Sequence, residues 1–296
     1  MPILQTEKLS KSYSGIQGIS DLDLQMEKGQ FLSLIGPRNA GKTTLVHILL
    51  NYIRPDSGWA KIFDEDVTRR SYEIKKRVGY APAKASFYRN MRAEDILSMA
   101  ASMKNAQDEE ETDGLCQQLK IDGRLKAWQM PLGQKKKISL IQALMGSPEL
   151  LILDEPLLGF DEEAKEVFWR LMKREKEKGT AVLYCSRREE GRFISDHTVY
   201  LYQGKRVQEE EGGRTNARRI RVRTKEDISA VLQVLSASDM EFSEGYLSFY
   251  TPAEMDSIVK ALANCHIEDL KIELPYMADV IRCRREERDA PLERKV

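Results

Sequence analysis

The chain has 296 residues, enough for one large domain or for a large and a small one. It carries 47 basic and 47 acidic residues, so it lacks the strong basic excess of a dedicated nucleic-acid binder, and we expect no nucleic-acid partner. Its 4 cysteines form no Cys-x-x-Cys pair and its histidines number only 3, which disfavours a zinc site and suits a reducing compartment.

No targeting or membrane-spanning segment is predicted. The first residues, "MPILQTEKLSK", lack an apolar core of signal-peptide length. No apolar run approaches the ~18 residues that are typical of a membrane helix. Any function at a membrane is therefore expected to depend on a partner chain.

The first motif in chain order is "GPRNAGKTT" at residues 36–44. It satisfies the phosphate-binding pattern G-x-x-x-x-G-K-[ST] at Gly36, Gly41, Lys42 and Thr43. The run "FLSLI" at 31–35 predicts a buried strand before the loop, and "TTLVHILLNYI" at 43–53 predicts a helix after it. Strand, loop and helix is the order that this motif requires.

The chemistry of such a loop follows from its backbone. Its N–H groups, with those of the helix N-terminus, bind phosphate oxygens. Lys42 is expected to add a charge at the β and γ phosphates, and the Thr43 hydroxyl to ligate Mg²⁺. Asn39 stands where related loops often have glycine, but asparagine tolerates the left-handed backbone, so the loop is expected to close. The predicted nucleotide contacts of the loop are Gly36, Asn39, Ala40, Gly41, Lys42, Thr43 and Thr44.

A second apolar run, "ELLILDEP" at 149–156, predicts another buried strand that ends in two acids. Asp154 is placed to hold Mg²⁺ or its waters, and Glu155 to polarise an attacking water, with Lys42 as the other catalytic residue. The alternative is a strand followed by an acidic helix cap, and the phosphate-binding loop upstream favours the functional interpretation. Between the two motifs, "AEDILSMAASM" and "EEETDGLCQQL" show helical periodicity.

The composition changes at "QEEEGGRTNARR", residues 208–219, which predicts a linker. Beyond it, the patterns predict a strand, a helix, a hairpin that turns at Gly245, a second helix and a last strand. This β-α-β-β-α-β order is the split arrangement of a ferredoxin-like domain. A further short helix is predicted at "YMADVIRCRRE", residues 276–286.

Over about residues 1–210, the order of these motifs resembles the ATP-binding subunits of ABC transporters. "VGYAPA" at 78–83 is similar to the strand before the family's Q-loop, and "MPLGQ" at 130–134 to its signature. "LGFD" at 158–161 is similar to its D-loop. The resemblance implies an α/β P-loop ATPase fold with an inserted helical subdomain at about residues 84–146.

The resemblance also implies ligands and contacts. Mg²⁺ and ATP are the expected ligands. Tyr13, in "KSYSG", stands where the family stacks an aromatic ring on adenine. Gly133 and Gln134 are expected to contact the nucleotide of a second ATPase subunit across a dimer. The remaining chain, 211–296, is expected to form a small C-terminal α+β domain, as on the ATPase subunits of bacterial drug, antibiotic and peptide exporters.

Three positions depart from the family pattern. Ala83 stands where the Q-loop glutamine contacts Mg²⁺ and the attacking water. Pro131, followed by Leu132, stands at the signature serine, which donates to a γ-phosphate, and proline offers neither an N–H nor a hydroxyl. Counting back from "DHTVYLYQG", the switch histidine falls at Ser186. We therefore expect intact binding of Mg-ATP but slow hydrolysis.

These features predict the nucleotide-binding subunit of an exporter for a hydrophobic or amphipathic substrate, similar to the bacitracin, daunorubicin or phenol-soluble-modulin exporters. Its expected partners are an integral membrane subunit and a second ATPase chain, and its expected place is the cytoplasmic face of the membrane as a peripheral protein. The alternative is a soluble ATP-binding pseudo-ATPase that acts as a regulatory switch. Glu155 argues mildly against that alternative, because a protein that only holds ATP needs no base.

Overall fold

The computed structural model describes residues 1–104, 109–211, 218–224, 226–243, 245–251, 253–263 and 265–273. The chain divides into two compact units, Met1–Gly213 and Arg214–Val296. In the described part of the chain, no helix is both long enough and apolar enough to cross a membrane.

The first unit contains ten strands and six α-helices in the described residues. The strands are β1 (Pro2–Tyr13), β2 (Ile16–Glu27), β3 (Phe31–Ile35), β4 (Ser57–Ile62), β5 (Glu65–Asp66), β6 (Val78–Ala81), β7 (Leu150–Asp154), β8 (Ala181–Ser186), β9 (His197–Tyr202) and β10 (Lys205–Glu211). The helices are α1 (Lys42–Leu49), α2 (Ser71–Arg77), α3 (Ala93–Lys104), α4 (Glu109–Gln118), α5 (Leu132–Leu144) and α6 (Glu162–Glu177), with a 3-10 turn at Glu189–Gly191.

A six-stranded sheet forms the centre of this unit, in the order β10-β9-β3-β8-β7-β6. The neighbours from β9 to β6 run parallel, and only β10 is antiparallel to its neighbour. Every residue of β3, β7 and β8 is buried, as expected of parallel strands that are covered on both faces. A second sheet, β2-β1-β4-β5, is antiparallel, and its apolar residues share one core with α1 and the central sheet.

Three helices, α3, α4 and α5, lie in the sequence between β6 and β7. The helical patterns predicted at 93–103 and 109–119 correspond to α3 and α4. These helices pack with α6 and the opposite face of the central sheet in a second apolar core. The signature segment leads into α5, which packs against β6.

Two predicted boundaries were wrong. The helix after the phosphate-binding loop ends at Leu49 rather than near residue 53, because Asn51 adopts a left-handed backbone with φ of 51°. The predicted linker at 208–219 begins inside β10, which extends to Glu211 by pairing with β9, and its last residues open a strand of the second unit. Ladder hydrogen bonds to β9 therefore outweigh the charge and low periodicity of "QEEE".

The second unit contains β11 (Arg218–Arg223), α7 (Ser229–Val234), β12 (Ser238–Ser243), β13 (Tyr246–Thr251), α8 (Met255–Leu262) and β14 (Asp269–Glu273). Its elements follow the order that the sequence predicts, and its antiparallel sheet has the order β12-β13-β11-β14. Ile220, Phe249 and Ile258 lie at the centre of its apolar core. The helix predicted at 276–286 lies outside the described residues.

Candidate functional site

The candidate site lies where three neighbouring parallel strands end. Ile35, the last residue of β3, pairs with Ser186 of β8, and Asp154 of β7 pairs with Cys185. Because parallel strands point the same way, the segments that follow them emerge at one edge of the sheet. That edge therefore collects the loop that starts at Gly36, the two acids of β7, and the residues that follow β8.

The loop after β3 closes onto the start of α1. Gly41 caps that helix with φ of 107°, and a Cβ there would lie 2.4 Å from the backbone oxygen of Gly18, so only glycine fits. Asn39 has φ of 65°, which is the left-handed conformation that the sequence leads us to expect. The loop backbone thus curls around the N-terminus of α1, as a phosphate-binding loop requires.

Lys42 points back into the loop and is only 5% exposed. Its Nζ donates to the backbone oxygens of Gly36 at 2.6 Å and Pro37 at 3.1 Å. The same Nζ lies 3.6 Å from Oε1 of Glu155. Burial lowers the pKa of Lys42, and the neighbouring acids oppose that shift. Hydrogen bonds to the loop backbone and the pair with Glu155 therefore fix the position of the Lys42 side chain inside the loop.

Thr43 and Asp154 lie side by side, and both carry oxygen atoms that could ligate Mg²⁺. The Thr43 Oγ1 donates to Oδ2 of Asp154 at 2.7 Å. Asp154 is fully buried, which raises its pKa, and its Oδ1 has no hydrogen-bond partner among the described residues. A buried carboxylate oxygen without a partner is costly, and a cation would satisfy it. These two residues fit a Mg²⁺ ion.

The ion would need further ligands from elsewhere. In the described residues, no group of three or more His, Cys, Asp or Glu side chains gathers in a way that could hold a metal. Mg²⁺ commonly binds through one or two protein ligands together with substrate phosphates and waters. The donor set of this site matches that pattern.

Glu155 follows Asp154 and has an unusual backbone, with φ of 47°. Its N–H donates to the backbone oxygen of Cys185 at 2.8 Å, which links the end of β7 to β8. Non-glycine residues rarely adopt this conformation, and such strain is concentrated at functional sites. Its Oε1 lies near two cations, Lys42 and the Nε of Arg187, which is 3.4 Å away.

A cavity of about 540 Å³ joins these groups, a size typical of small-molecule sites. Tyr13, at the end of β1, lies at its edge beside Gly18 and is 42% exposed. The residues that line the cavity are Tyr13, Gln17, Gly18, Arg38, Asn39, Ala40, Gly41, Lys42, Thr43, Thr44, Ala83, Lys84, Glu155, Leu158 and Arg187. The sequence-predicted aromatic, loop and carboxylate positions therefore meet in one place.

Gly133 and Gln134 lie elsewhere. Gly133 packs in the first turn of α5, where a Cβ would lie 2.1 Å from the backbone oxygen of Gly159. The Gln134 Nε2 donates to the backbone oxygen of Lys120 at 3.2 Å. Neither residue is among those that line the cavity described above. Their role as nucleotide contacts requires a second chain and stays a prediction.

The sequence interpretation missed two cations. Arg187 lines the cavity, whereas Ser186 is buried and its Oγ accepts a hydrogen bond from the backbone N–H of Arg188 at 3.1 Å. Counting back from β9 leads to Ser186, the last residue of β8, and it is the next residue, Arg187, that pairs with Glu155. The place of the arginine directly after a buried strand was the available sequence signal.

The other missed residue is Lys136 in α5, which is 2% exposed. Its Nζ donates to the backbone oxygens of Pro82 at 2.7 Å and Asp154 at 2.8 Å, and burial lowers its pKa to about 8. It ties α5 to the segment that leads into Ala83 and to the acidic strand. The run "KKK" predicts a solvated helix face, and it gave no signal that its central lysine is buried.

Comparison with known proteins identifies the class. The sequence profile described as ABC transporter matches residues 19–158. The bacitracin transport ATP-binding protein BcrA of Bacillus licheniformis is 31% identical over 216 residues, covering 70% of this chain and 69% of that protein. The Nod factor export ATP-binding protein I of Cupriavidus metallidurans is 29% identical over 216 residues, covering 70% of each.

Solved structures share the fold. An ATP-binding subunit of an ABC transporter aligns with a TM-score of 0.63 at 24% identity, over 71% of this chain and 90% of that one. An ATP-binding cassette bound to ADP and inorganic phosphate aligns with a TM-score of 0.64 at 19% identity, over 70% of this chain and 98% of that one. These similarities confirm the predicted α/β P-loop fold of the first unit.

This chain belongs to the ABC transporter family, as an ATP-binding subunit whose relatives include export proteins. The match spans 66% to 70% of the length of the Nod factor and bacitracin proteins. The family is shown by the sequence, and the roles of single residues rest on the geometry of the site.

Proposed function

We propose that this chain is the ATP-hydrolysing subunit of an ABC exporter and that its turnover is slow. The observation that carries the proposal is that Lys42, Thr43 and Glu155 line one cavity, while the buried Asp154 is hydrogen-bonded to Thr43 at its wall. A module that only held nucleotide would need Lys42, Thr43 and Asp154. Hydrolysis requires one more group, a base for the attacking water. Glu155 fits that role, because its side chain lines the same cavity and its backbone is strained.

The chemistry is divided among these residues. Lys42 stabilises negative charge on the β and γ phosphates, and the loop N–H groups orient them. Thr43 and Asp154 would hold Mg²⁺, and the ion would supply positive charge to neutralise the phosphate oxygens. Glu155 accepts one proton from the attacking water, while the water oxygen bonds to the γ-phosphorus and the bond to the leaving ADP oxygen breaks.

Turnover is slow in this proposal because polar groups near the terminal phosphate are missing. Ala83 lines the cavity but offers no polar side chain. Pro131 precedes α5 without an N–H, and Leu132 beside it is 43% exposed. Removal of one preorganised donor at an analogous site costs about 10²–10³ in rate. Transition-state stabilisation therefore suffers more than binding does.

The partners follow from the family. A second ATPase chain would bring its α5 start, with the residues that correspond to Gly133 and Gln134, to this nucleotide. A heterodimer would divide the defects between two sites. An integral membrane subunit would dock near residues 80–104, placing this chain at the cytoplasmic face as a peripheral protein. The α3–α5 segment, part of the helical subdomain at about 84–146, and the second unit, as a ferredoxin-like domain, would complete the exporter subunit.

The proposed substrate class is a hydrophobic or amphipathic compound, such as an antibiotic or a peptide. Support comes from the relatives named for the transport of bacitracin and the export of Nod factor, and from a Bacillus subtilis relative named for linearmycin resistance. At 27–31% identity, these names support a class of cargo rather than a compound.

A regulatory pseudo-ATPase is the second candidate function. The observation that favours it is the apolar start of α5, where Pro131 and the exposed Leu132 replace donors. In that case the chain would bind ATP and change shape without hydrolysis. The two candidates differ in whether Glu155 matters.

The deciding experiment is phosphate release by the full chain, alone and with its membrane subunit. We expect release below a few per second, and its loss in Glu155→Gln without loss of ATP binding. The matched control is Glu166→Gln, because Glu166 is an exposed acid on α6. Equal release by wild type and Glu155→Gln would contradict the hydrolytic proposal and favour the switch.

A further inference from the structure

Arg187 lines the cavity, but it has no role in the hydrolytic mechanism proposed above. It follows Ser186, the last residue of β8, and β8 lies between the strand that carries the phosphate-binding loop and the strand that carries the acids. The order of the strands therefore brings its side chain to the same sheet edge as Gly36 and Asp154. The side chain is 48% exposed, so it is accessible from the cavity that it lines.

Two cations meet one carboxylate oxygen at this edge. The Nε of Arg187 lies 3.4 Å from Oε1 of Glu155, and the Nζ of Lys42 lies 3.6 Å from the same oxygen. Glu155 is the only ion-pair partner of Arg187 within the described ranges. The carboxylate is 18% exposed and Lys42 is buried, so water screens that pair poorly, whereas the half-exposed Arg187 can leave its pair with Glu155 more easily.

A terminal phosphate is a stronger partner for a guanidinium than one carboxylate oxygen. It presents several oxygens with more negative charge, and the guanidinium fork binds phosphate through parallel N–H bonds. Lys42 and Thr43 line the same cavity and fix where the phosphates lie, and Tyr13 lies on another side, beside Gly18 and Thr44. Arg187 is therefore beside the catalytic carboxylate rather than the aromatic ring.

We propose that Arg187 recognises the terminal phosphate of ATP and thereby releases Glu155 to accept the water proton. This inference rests on the proposed ATPase function. With ADP, which has no third phosphate, Arg187 stays paired with Glu155 and the carboxylate stays neutralised by its two cations. With ATP, the guanidinium pairs with the added phosphate, and Glu155 becomes free to act as a base. Arg187 is thus a phosphate-recognising residue and a positioning residue for Glu155.

The other side chains around this part of the cavity do not offer Glu155 the partner that Arg187 offers. Ala83, on the same cavity, supplies no donor, and Ser186 is buried and already accepts from the backbone N–H of Arg188. The cavity is also lined by two exposed cations, Lys84 and the loop residue Arg38. Within the described residues neither of them forms an ion pair with Glu155, whereas Arg187 does.

The test compares ATP with ADP, because a merely structural role would affect both nucleotides. Dissociation constants of Mg-ATP and Mg-ADP are measured by calorimetry on the full chain carrying wild-type sequence, Arg187→Ala, Arg187→Lys or Arg188→Ala. We expect Arg187→Ala to weaken ATP roughly 10- to 100-fold, the range for a lost charged hydrogen bond, and ADP less than about twofold. Arg187→Lys should recover part of the ATP preference.

Arg188→Ala is the matched control, because Arg188 is a neighbouring exposed arginine whose ion pair with Glu190 is 3.7 Å long. It should leave both affinities unchanged, and thermal unfolding without nucleotide checks that each variant is folded. Equal losses for ATP and ADP in Arg187→Ala, or no loss, would overturn the inference while the ATPase proposal stands. A wild-type chain that binds neither nucleotide would overturn both.

Discussion

Two turns of this molecule lead into a helix, one through a glycine and the other through a proline. They differ in the groups that could bind a phosphate. Helix α1 begins at Lys42 after Gly41, and helix α5 begins at Leu132 after Pro131. Both helix N-termini carry the same partial positive charge from their peptide dipoles. Only the first turn adds a buried lysine at the first helical residue, directed back into the loop, and a hydroxyl that contacts a buried carboxylate.

The two turns would contact different nucleotides, one on the same chain and one on a second chain. Contacts of the α1 turn lie within one chain, and in the proposed function they would hold the nucleotide and its metal. Contacts of the α5 turn would reach a nucleotide on a second chain, and there Pro131 and Leu132 replace donors with apolar surface. The proposal therefore expects that nucleotide binding is preserved and that the closure of a second subunit on the terminal phosphate is weakened.

Lys42→Ala should have the largest effect, because it removes the charge from the intact turn. The lysine Nζ makes two hydrogen bonds to the loop and approaches Glu155. In the nucleotide complex the same Nζ is expected to bond to the β and γ phosphates instead, and two charged hydrogen bonds of about 1.5–3 kcal/mol each correspond to a fall in Mg-ATP affinity of at least about 100-fold. Isothermal calorimetry on the purified chain measures it.

The control for this change is Lys173→Ala, an exposed lysine on α6. It should retain wild-type affinity. If Lys42→Ala binds Mg-ATP as tightly as the wild type does, the nucleotide does not bind at the α1 turn. The proposed difference between the two turns would then be wrong.

Restoring hydrogen-bond donors at the start of α5 should have a smaller effect than Lys42→Ala, and it should strengthen binding rather than weaken it. Pro131→Ser with Leu132→Gly returns an N–H and a hydroxyl, and serine is also a good helix cap. In a Glu155→Gln background, where ATP persists, we expect the dissociation constant of an ATP-dependent dimer to fall about threefold to tenfold. Sedimentation at several protein concentrations measures the dimer.

Tyr88→Ser serves as the control for the repair, because Tyr88 is 78% exposed and lies in a loop that belongs to neither turn. It should not change dimerisation. If the repaired chain dimerises no better than its Glu155→Gln parent, the apolar start of α5 is not what weakens closure.

The sequence predicted the first turn well and the surroundings of the second poorly, for a physical reason. The phosphate-binding loop and the strand "LLILD" follow from local spacing, because the residues that act together are close in sequence. The contact of Arg187 with Glu155 depends on the pairing of β8 with β7, which joins segments that are far apart in the sequence. The burial of Lys136 depends on how α5 packs on β6 and β7, and no local pattern contains that information.

The boundaries show the same limit. The end of α1 at Leu49 depends on one left-handed residue, Asn51, inside a continuous apolar pattern. Strand β10 reaches Glu211 because β9 supplies its partners, although its own sequence is a run of acids. Tertiary contacts therefore decided both elements against their local signals.

The smallest effect is expected at the opposite end of the central sheet, where Arg77 and Glu149 form a pair just before β6 and β7 begin. Nε of the arginine lies 2.6 Å from Oε1 and its Nη2 lies 3.0 Å from Oε2. Hydrogen bonds from Arg77 lower the pKa of Glu149. Both side chains are 40% exposed, so Glu149→Gln should cost less than about 1 kcal/mol at pH 7.

The pH dependence has a definite sign. Because the pKa of Glu149 is lower in the folded chain than in the unfolded one, the pair stabilises the fold above the unfolded value of about 4.3. That contribution is lost as the pH falls through the folded value, so the two proteins should converge in acid. Urea unfolding followed by tryptophan fluorescence reports on the first unit, which holds all 3 tryptophans. ATP affinity at pH 7 should not change, and a loss of affinity would mean that the two turns are coupled to the far edge of the sheet and cannot be compared as local features.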